Sequence, residues 1–474
     1  MLVFVLSEEY TEVNRYIYQS ISQRSIMKEV EMAKTYDYDV LYIGSGHGTF
    51  DGAIPLAQTG KKVGVIETDM IGGTCPNYGC NAKIALDQPV VLKRALENLS
   101  SITANDLQID WQQNFKNKSR IIDPLPAMIS NLLVKSGVEI INGYGKFIDK
   151  HTISVNGDIK TAEKIVIATG LHPHRLAVSG KELAHDSRDF MSLGQLPEKI
   201  AIIGSGYISM EFATIANAAG SKVTVLMHGN RALRQFYSPY VRQVINDLEK
   251  RGVSFIQNAN VSSFSQSGQS QVVHYANDQE LKVDYILDAS GRVPNVNNIG
   301  LDEIGVKYNE NGIEVNGFLQ TTVDNIYASG DVIDKVQPKL TPTAIFESTY
   351  LFNLFSDKIS SEIKYPVIPS VVFTSPRIAK AGVEIDSKQS KNYEIQKNDL
   401  KDDWYRQVAN DQLAQNALVF DQQHHLVGVT EISEVAENSV NTFLPAIEFK
   451  FSTSEINRLV HLFPSISAAS WGQI

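Results

Sequence analysis

Short, largely apolar runs alternate along this chain with amphipathic stretches of helical length. Val40-Leu41-Tyr42-Ile43 leads into a glycine-bearing turn, a helical stretch over residues 50–60, and a second apolar run over residues 62–66. The same order returns at residues 199–203, with a second glycine turn, a helical stretch to residue 219 and an apolar run over 222–226. Runs apolar on both faces and joined through helices predict buried parallel strands, so the fold class is α/β with one unit used twice. No apolar run reaches the roughly 18 residues that span a bilayer, which predicts a protein outside the membrane. The polar stretch 262–270 reads as a turn between strands.

Both turns have the composition of a phosphate cradle. Gly44-Ser45-Gly46-His47-Gly48-Thr49 opens the first helix, and Glu67 closes the strand after it. Glycines there let backbone amides approach a pyrophosphate at a helix N-terminus, and the acid accepts from ribose hydroxyls. The second turn, Gly204-Ser205-Gly206-Tyr207-Ile208-Ser209, is followed beyond its strand by His228, Arg231 and Arg234 and by no acid. Basic groups in that place suit the extra phosphate of NADP, where a solvated basic turn is the plainer alternative.

The chain has two cysteines, Cys75 and Cys80, inside Gly72-Gly73-Thr74-Cys75-Pro76-Asn77-Tyr78-Gly79-Cys80-Asn81-Ala82-Lys83. So few cysteines in 474 residues exclude a disulfide scaffold and fit a reducing, cytoplasmic setting. A curled loop of this length can bring two α-carbons within disulfide range. Zinc would need a second ligand pair, so no metal is expected. Inert buried thiols are the remaining alternative. Flanking glycines, and placement after a nucleotide loop, favour a redox-active pair.

The cysteine segment resembles that of the flavin-dependent pyridine nucleotide:disulfide oxidoreductases, the group that holds glutathione reductase, dihydrolipoamide dehydrogenase and mercuric reductase. The family's other landmarks follow in order: Ile167-Ala168-Thr169-Gly170, the segment from Gly204 to Glu211, Ser290-Gly291-Arg292-Val293-Pro294-Asn295, and Ile326-Tyr327-Ala328-Ser329-Gly330-Asp331. The resemblance covers nearly everything after residue 36 and is nearest in pattern to glutathione reductase. It implies two Rossmann-like domains, for FAD over 36–172 and 286–352 and for NAD(P)H over 173–285, and an α+β dimerisation domain over 353–474. Residues 1–35 would be an extension with no export leader, and translation starting at Met32 is one expectation for it.

The same resemblance implies roles residue by residue. Gly44, Gly46, Gly48 and Glu67 would hold the adenosine half of FAD, and Gly330 with Asp331 its polyol and phosphate end. Gly73, Thr74, Thr169, Gly170, Arg292 and Thr341 would line the rest, and the helix opening at Thr341-Pro342 would face the flavin ring. Lys83, paired with Glu211, would lie beside the reactive nitrogen. Gly204, Gly206, Ile208, His228, Arg231 and Arg234 would bind NADPH, and Tyr207 would be the lid over the nicotinamide site. Cys80 would touch the flavin and Cys75 would attack the acceptor.

Two departures bear on the acceptor. The family's C-terminal histidine and glutamate fall on Phe463 and Ala468, although an aromatic residue before Pro464 still permits a cis bond. Proton transfer would then need a substitute, for which His461 and His47 are the candidates. The family's two glutathione-carboxylate arginines fall on Ile54 and Thr349. Three readings follow: an NADPH-dependent disulfide reductase acting as a homodimer on a small-molecule acceptor, a reductase of metal ions or quinones, and a flavoprotein redox sensor. A dihydrolipoamide dehydrogenase is disfavoured by the missing acid and by Phe463. With 43 basic against 53 acidic side chains, nucleic acid is an improbable partner.

Overall fold

The computed structural model describes residues 35–104, 106–276, 278–386 and 392–474. Residues 1–34, on which a start at Met32 would fall, lie outside the described residues. The strand Tyr38–Ile43 is central to a sheet whose parallel part runs Val138–Asn142, Val63–Glu67, Tyr38–Ile43, Asp158–Ile167 and Ile326–Ala328. Val40, Leu41 and Tyr42 are all buried, because layers cover both faces of the sheet. That is why this strand is continuously apolar and shows no alternation.

A second parallel sheet runs Ser254–Ile256, Lys222–Leu226, Lys199–Ile203, Tyr285–Asp288 and Ala184–His185. Tyr285–Asp288 pairs with Lys199–Ile203 and so stands in this sheet, slightly beyond the expected edge at 285. A short ribbon of Leu171–Pro173 against Arg292–Pro294 joins the two units. The stretch 262–270 differs from expectation. It forms most of the strand Val261–Ser267, paired antiparallel with Ser270–Tyr275. One inward side chain, Phe264, is buried there among exposed serines and glutamines, so the polar composition hid the strand. The C-terminal unit is an antiparallel sheet of Ser370–Val372, Arg377–Gly382, Leu426–Ser433, Gln415–Phe420 and Glu394–Asp399, with the helix Ala436–Phe449 packed on it.

Site position follows from this layout. The loops 44–49, 168–170 and 329–331 all leave the carboxyl ends of parallel strands, the edge at which open α/β sheets bind ligands. The helix Thr341–Phe355 crosses the first glycine-loop helix, Phe50–Ala57, at very short range. Gly52 N donates to Ser348 Oγ at 2.8 Å, and a β-carbon on Gly52 would sit 2.2 Å from the Ser348 carbonyl oxygen. Gly52→Ala should therefore push these helices apart and destabilise the protein by about 1–3 kcal/mol. Denaturant unfolding of the two proteins checks this, and equal midpoints would contradict it.

Candidate functional site

The first glycine loop is fixed by close backbone contacts. Gly44 has a φ of +101°, and a β-carbon there would lie 2.4 Å from the Ala168 carbonyl oxygen, so only glycine fits. Gly48 packs on Gly330, with Ser329 Oγ donating to the Gly48 carbonyl at 2.6 Å. Thr49, which stands at the last position of the glycine pattern, turns its hydroxyl back to the Gly44 carbonyl at 2.8 Å. Glu67 accepts at Oε2 from Ser45 N and Ser45 Oγ, at 2.9 and 2.6 Å. Ser45 Oγ accepts in turn from Gly72 N at 2.9 Å, so the loop, the acid and the cysteine segment are held together. Across the cradle, Thr169 Oγ1 donates to the Asn295 carbonyl at 2.7 Å, with Gly170 alongside. Arg292 donates to the Leu171 carbonyl, and burial pushes its guanidinium pKa down.

The cysteines sit at the starts of two consecutive helices, Thr74–Tyr78 and Cys80–Asn98. Gly73, with a φ of +67°, precedes the first, and the buried Asn77 amide donates to the Ile71 and Gly73 carbonyls at 2.9 Å each. Both thiols are free. The neighbouring Cys80 drives the Cys75 pKa upward, and burial adds to this. Cys75 in turn pulls Cys80 down to about 6, helped by the Thr341 hydroxyl at 3.6 Å and the Lys83 ammonium. The two shifts run in opposite directions, Cys75 up and Cys80 down.

Lys83 Nζ lies 2.8 Å from Glu211 Oε1, with the two side chains 13% and 7% exposed. Glu211 comes from the helix Tyr207–Ala218 of the second unit, and its Oε1 also accepts from Phe373 N of the third unit at 3.0 Å. The Lys83 ammonium rests over the Phe373 ring at 4.0 Å. One turn beyond Lys83 lies a group the sequence did not disclose. Asp87, raised to about 6 by burial, is 3.3 Å from Arg377, which also bonds Glu437 at 2.5 Å. Its spacing of four from Lys83 was the available signal, but Arg377 is 290 residues away.

The second loop repeats the first. Gly204 has a φ of +109°, and its β-carbon would lie 2.4 Å from the Ala289 carbonyl oxygen. A cavity of about 680 Å³ opens beside it, lined by Gly204, Gly206, Tyr207, His228, Arg231 and Arg234 among others. Tyr207 packs edge-on to Phe236 at 5.5 Å. Arg231 bonds the Phe236 carbonyl at 3.0 Å and stands 3.7 Å from Asp386. Ile208, second in the helix Tyr207–Ala218, is partly buried against the apolar core of this unit. In the C-terminal segment, Phe463 precedes Pro464 through a cis bond and lies exposed against Trp404 at 5.5 Å. Val460 and Leu462 beside it are also exposed.

Residues 38–348 match the pyridine nucleotide-disulphide oxidoreductase family, and residues 368–472 match its dimerisation domain. A mercuric reductase of Lysinibacillus sphaericus is 29% identical over 384 residues, covering 79% of this chain and 70% of its own length. A glutathione reductase of Nostoc sp. is 31% identical over 364 residues, covering 74% and 79%. In fold, the chain is similar to the HOCl-induced flavoprotein disulfide reductase RclA from Escherichia coli, with a TM-score of 0.83 and 24% identity over 91% of this chain and 98% of the other. The chain belongs to the pyridine nucleotide-disulphide oxidoreductases, FAD-dependent enzymes that use NAD(P)H. The first cradle fits FAD. Asp331 Oδ1 is buried and has no hydrogen-bond partner, while Gly44, Gly48 and Gly73 lie where added side chains would collide with backbone. Such an orphan acceptor is costly unless a ligand hydroxyl satisfies it.

The polarised thiol pair makes a measurable prediction. Reduced protein should show one thiolate per chain by ultraviolet absorbance at neutral pH, appearing as pH rises through about 6. Lys83→Met should move that midpoint upward, because a cation favours the ionised sulfur. A midpoint near the ordinary thiol value of about 8.5 would contradict the assignment.

Proposed function

We propose that this flavoprotein is an NADPH-dependent disulfide reductase in which Cys75 and Cys80 carry electrons to a small-molecule acceptor. The observation that carries this reading is geometric: two free thiols open consecutive helices, with Cys80 Sγ 3.6 Å from the Thr341 hydroxyl and Lys83, paired to Glu211, on the Cys80 helix. FAD held in the first cradle would supply hydride acceptance from the nicotinamide and transfer of the electron pair to a disulfide. The residues proposed to hold it are Gly44, Gly46, Gly48, Glu67, Gly73, Thr74, Thr169, Gly170, Arg292, Gly330, Asp331 and Thr341. Lys83, fixed by Glu211, sets a positive charge beside Cys80, and Tyr207 covers the nicotinamide side of the second cavity. Cys75 then attacks the acceptor, and Cys80 resolves the mixed disulfide.

The choice of NADPH rests on the basic rim of that cavity. His228, Arg231 and Arg234 are exposed there with no carboxylate at the end of the Lys222–Leu226 strand, an arrangement that favours a 2′-phosphate over a bare ribose. Two copies would pair through residues 353–474 and cover the exposed Val460, Leu462 and Phe463, and the cytoplasm is the compartment that suits a thiol pair held reduced. A second reading, reduction of metal ions or quinones, is favoured by Phe463 and Ala468, which leave no proton relay in the C-terminal segment. Among the described residues no group of three His, Cys, Asp or Glu is placed to hold a metal, so a metal-ion acceptor would have to meet the cysteines directly.

Two expected outcomes test this. Cys75→Ser and Cys80→Ser should each lose disulfide turnover by about 10³-fold or more while NADPH still bleaches the flavin. Full turnover in both would overturn the proposal. Arg234→Ala should cut the ratio of kcat/KM for NADPH over NADH by about 10-fold or more, as for loss of one charge-assisted bond. An unchanged ratio would remove the argument for NADPH from this side chain.

A further inference from the structure

A buried ion pair lies beneath the loop that carries Asp331. Lys335 Nζ stands 2.7 and 2.9 Å from the two carboxylate oxygens of Glu347, with the side chains 3% and 0% exposed. Tyr365 donates its hydroxyl to Glu347 Oε1 at 2.8 Å. Such a pair returns little net stability, because desolvation of the two charges offsets their attraction. What it does here that apolar side chains could not is hold Gly330 by both of its polar backbone atoms. Gly330 N donates to Glu347 Oε2 at 2.7 Å, and the Gly330 carbonyl accepts from Lys335 Nζ at 2.9 Å.

Gly330 depends on that hold. It lies just past the strand Ile326–Ala328, after the last bond to the neighbouring strand, from Ser329 N to the Ile167 carbonyl, and has a φ of +78°. A glycine restrains its own backbone least, so the bonds it makes set its conformation. Asp331 comes next. Its carbonyl accepts from Lys339 Nζ at 2.9 Å, while its Oδ1 is buried with no hydrogen-bond partner among the described residues. Lysines thus pin the backbone on both sides of this carboxylate and leave one of its oxygens for a ligand.

Glu347 also belongs to the helix Thr341–Phe355. At the start of that helix Thr341 Oγ1 is 3.6 Å from Cys80 Sγ, and Ser348, next to Glu347, bonds Gly52 of the first glycine-loop helix. One carboxylate therefore keeps the Asp331 loop in register with the helix that opens beside Cys80.

We infer that Lys335 and Glu347 are positioning residues for the flavin nucleotide, fixing Gly330 so that Asp331 presents its free carboxylate oxygen to a polyol hydroxyl of the ligand. This rests on the reading of the first cradle as the FAD site. It divides that cradle by chemistry: the adenosine end is served by the first glycine loop and Glu67, and the polyol end by Asp331 with the ion pair beneath it. ADP shares the adenosine end and carries no polyol, so loss of the pair weakens the hold on FAD and spares ADP.

The test is a competition on the full-length, FAD-loaded protein. ADP is added at a fixed excess of free FAD, and bound flavin is counted after rapid gel filtration. The ADP concentration that displaces half of it reports the ratio of the two affinities within one preparation. Lys335→Met combined with Glu347→Gln removes both charges and strands neither; it should lower that concentration by about 10-fold or more, as for loss of charge-assisted bonds. Tyr365→Phe removes one bond to Glu347 and keeps the ion pair. It should lower the concentration by about 2-fold or more, and it decides the matter if the double variant does not fold. A cradle that was merely loosened would lose both nucleotides alike, so an unchanged or raised concentration in the folded variants overturns the role of the pair alone. A wild-type protein that takes up ADP but no FAD overturns the cradle reading and this inference with it.

Discussion

One buried carboxylate ties the molecule together. Glu211 accepts from the Lys83 ammonium at 2.8 Å and from Phe373 N at 3.0 Å, so the cysteine helix, the second nucleotide unit and the C-terminal sheet meet on a single oxygen. Removing one partner of so buried a pair strands a charge, typically at a cost of about 3–5 kcal/mol. The pair therefore fixes where Lys83 stands relative to Cys80 and, through Phe373, where the third unit sits. Asp87, Arg377 and Glu437 repeat the device one helical turn away, binding the same helix to the same unit.

That rigidity is what makes the chemistry of the sulfurs asymmetric. Two free thiols of equal pKa would share charge and exchange indifferently. Here the Thr341 hydroxyl and the Lys83 ammonium both favour charge on Cys80, and burial raises Cys75. By the family resemblance, the positions of a C-terminal acid–base pair hold Phe463 and Ala468, neither of which carries a proton.

Much of this was readable beforehand, for physical reasons that can be named. Gly44 and Gly204 are backbone requirements, and a glycine forced by positive φ and a carbonyl 2.4 Å away marks its loop in any sequence. The apolar runs at 40–43 and 199–203 announced strands covered on both faces. Family resemblance pointed to Lys83 with Glu211, and the fold brings them to contact. What stayed hidden depends on tertiary approach. Arg377 and Asp87 meet across 290 positions, Phe373 contributes a backbone N–H that any residue could supply, and Phe264 is a single inward residue in a polar strand.

The central claim is that flavin and sulfurs form one electron-storing unit. Anaerobic dithionite titration of the oxidised, FAD-loaded protein reads this directly. Uptake of two electron pairs per chain is predicted, the first held by Cys75 and Cys80 as two new thiols and the second by the flavin. Uptake of a single pair, with the thiol count unchanged, would contradict it.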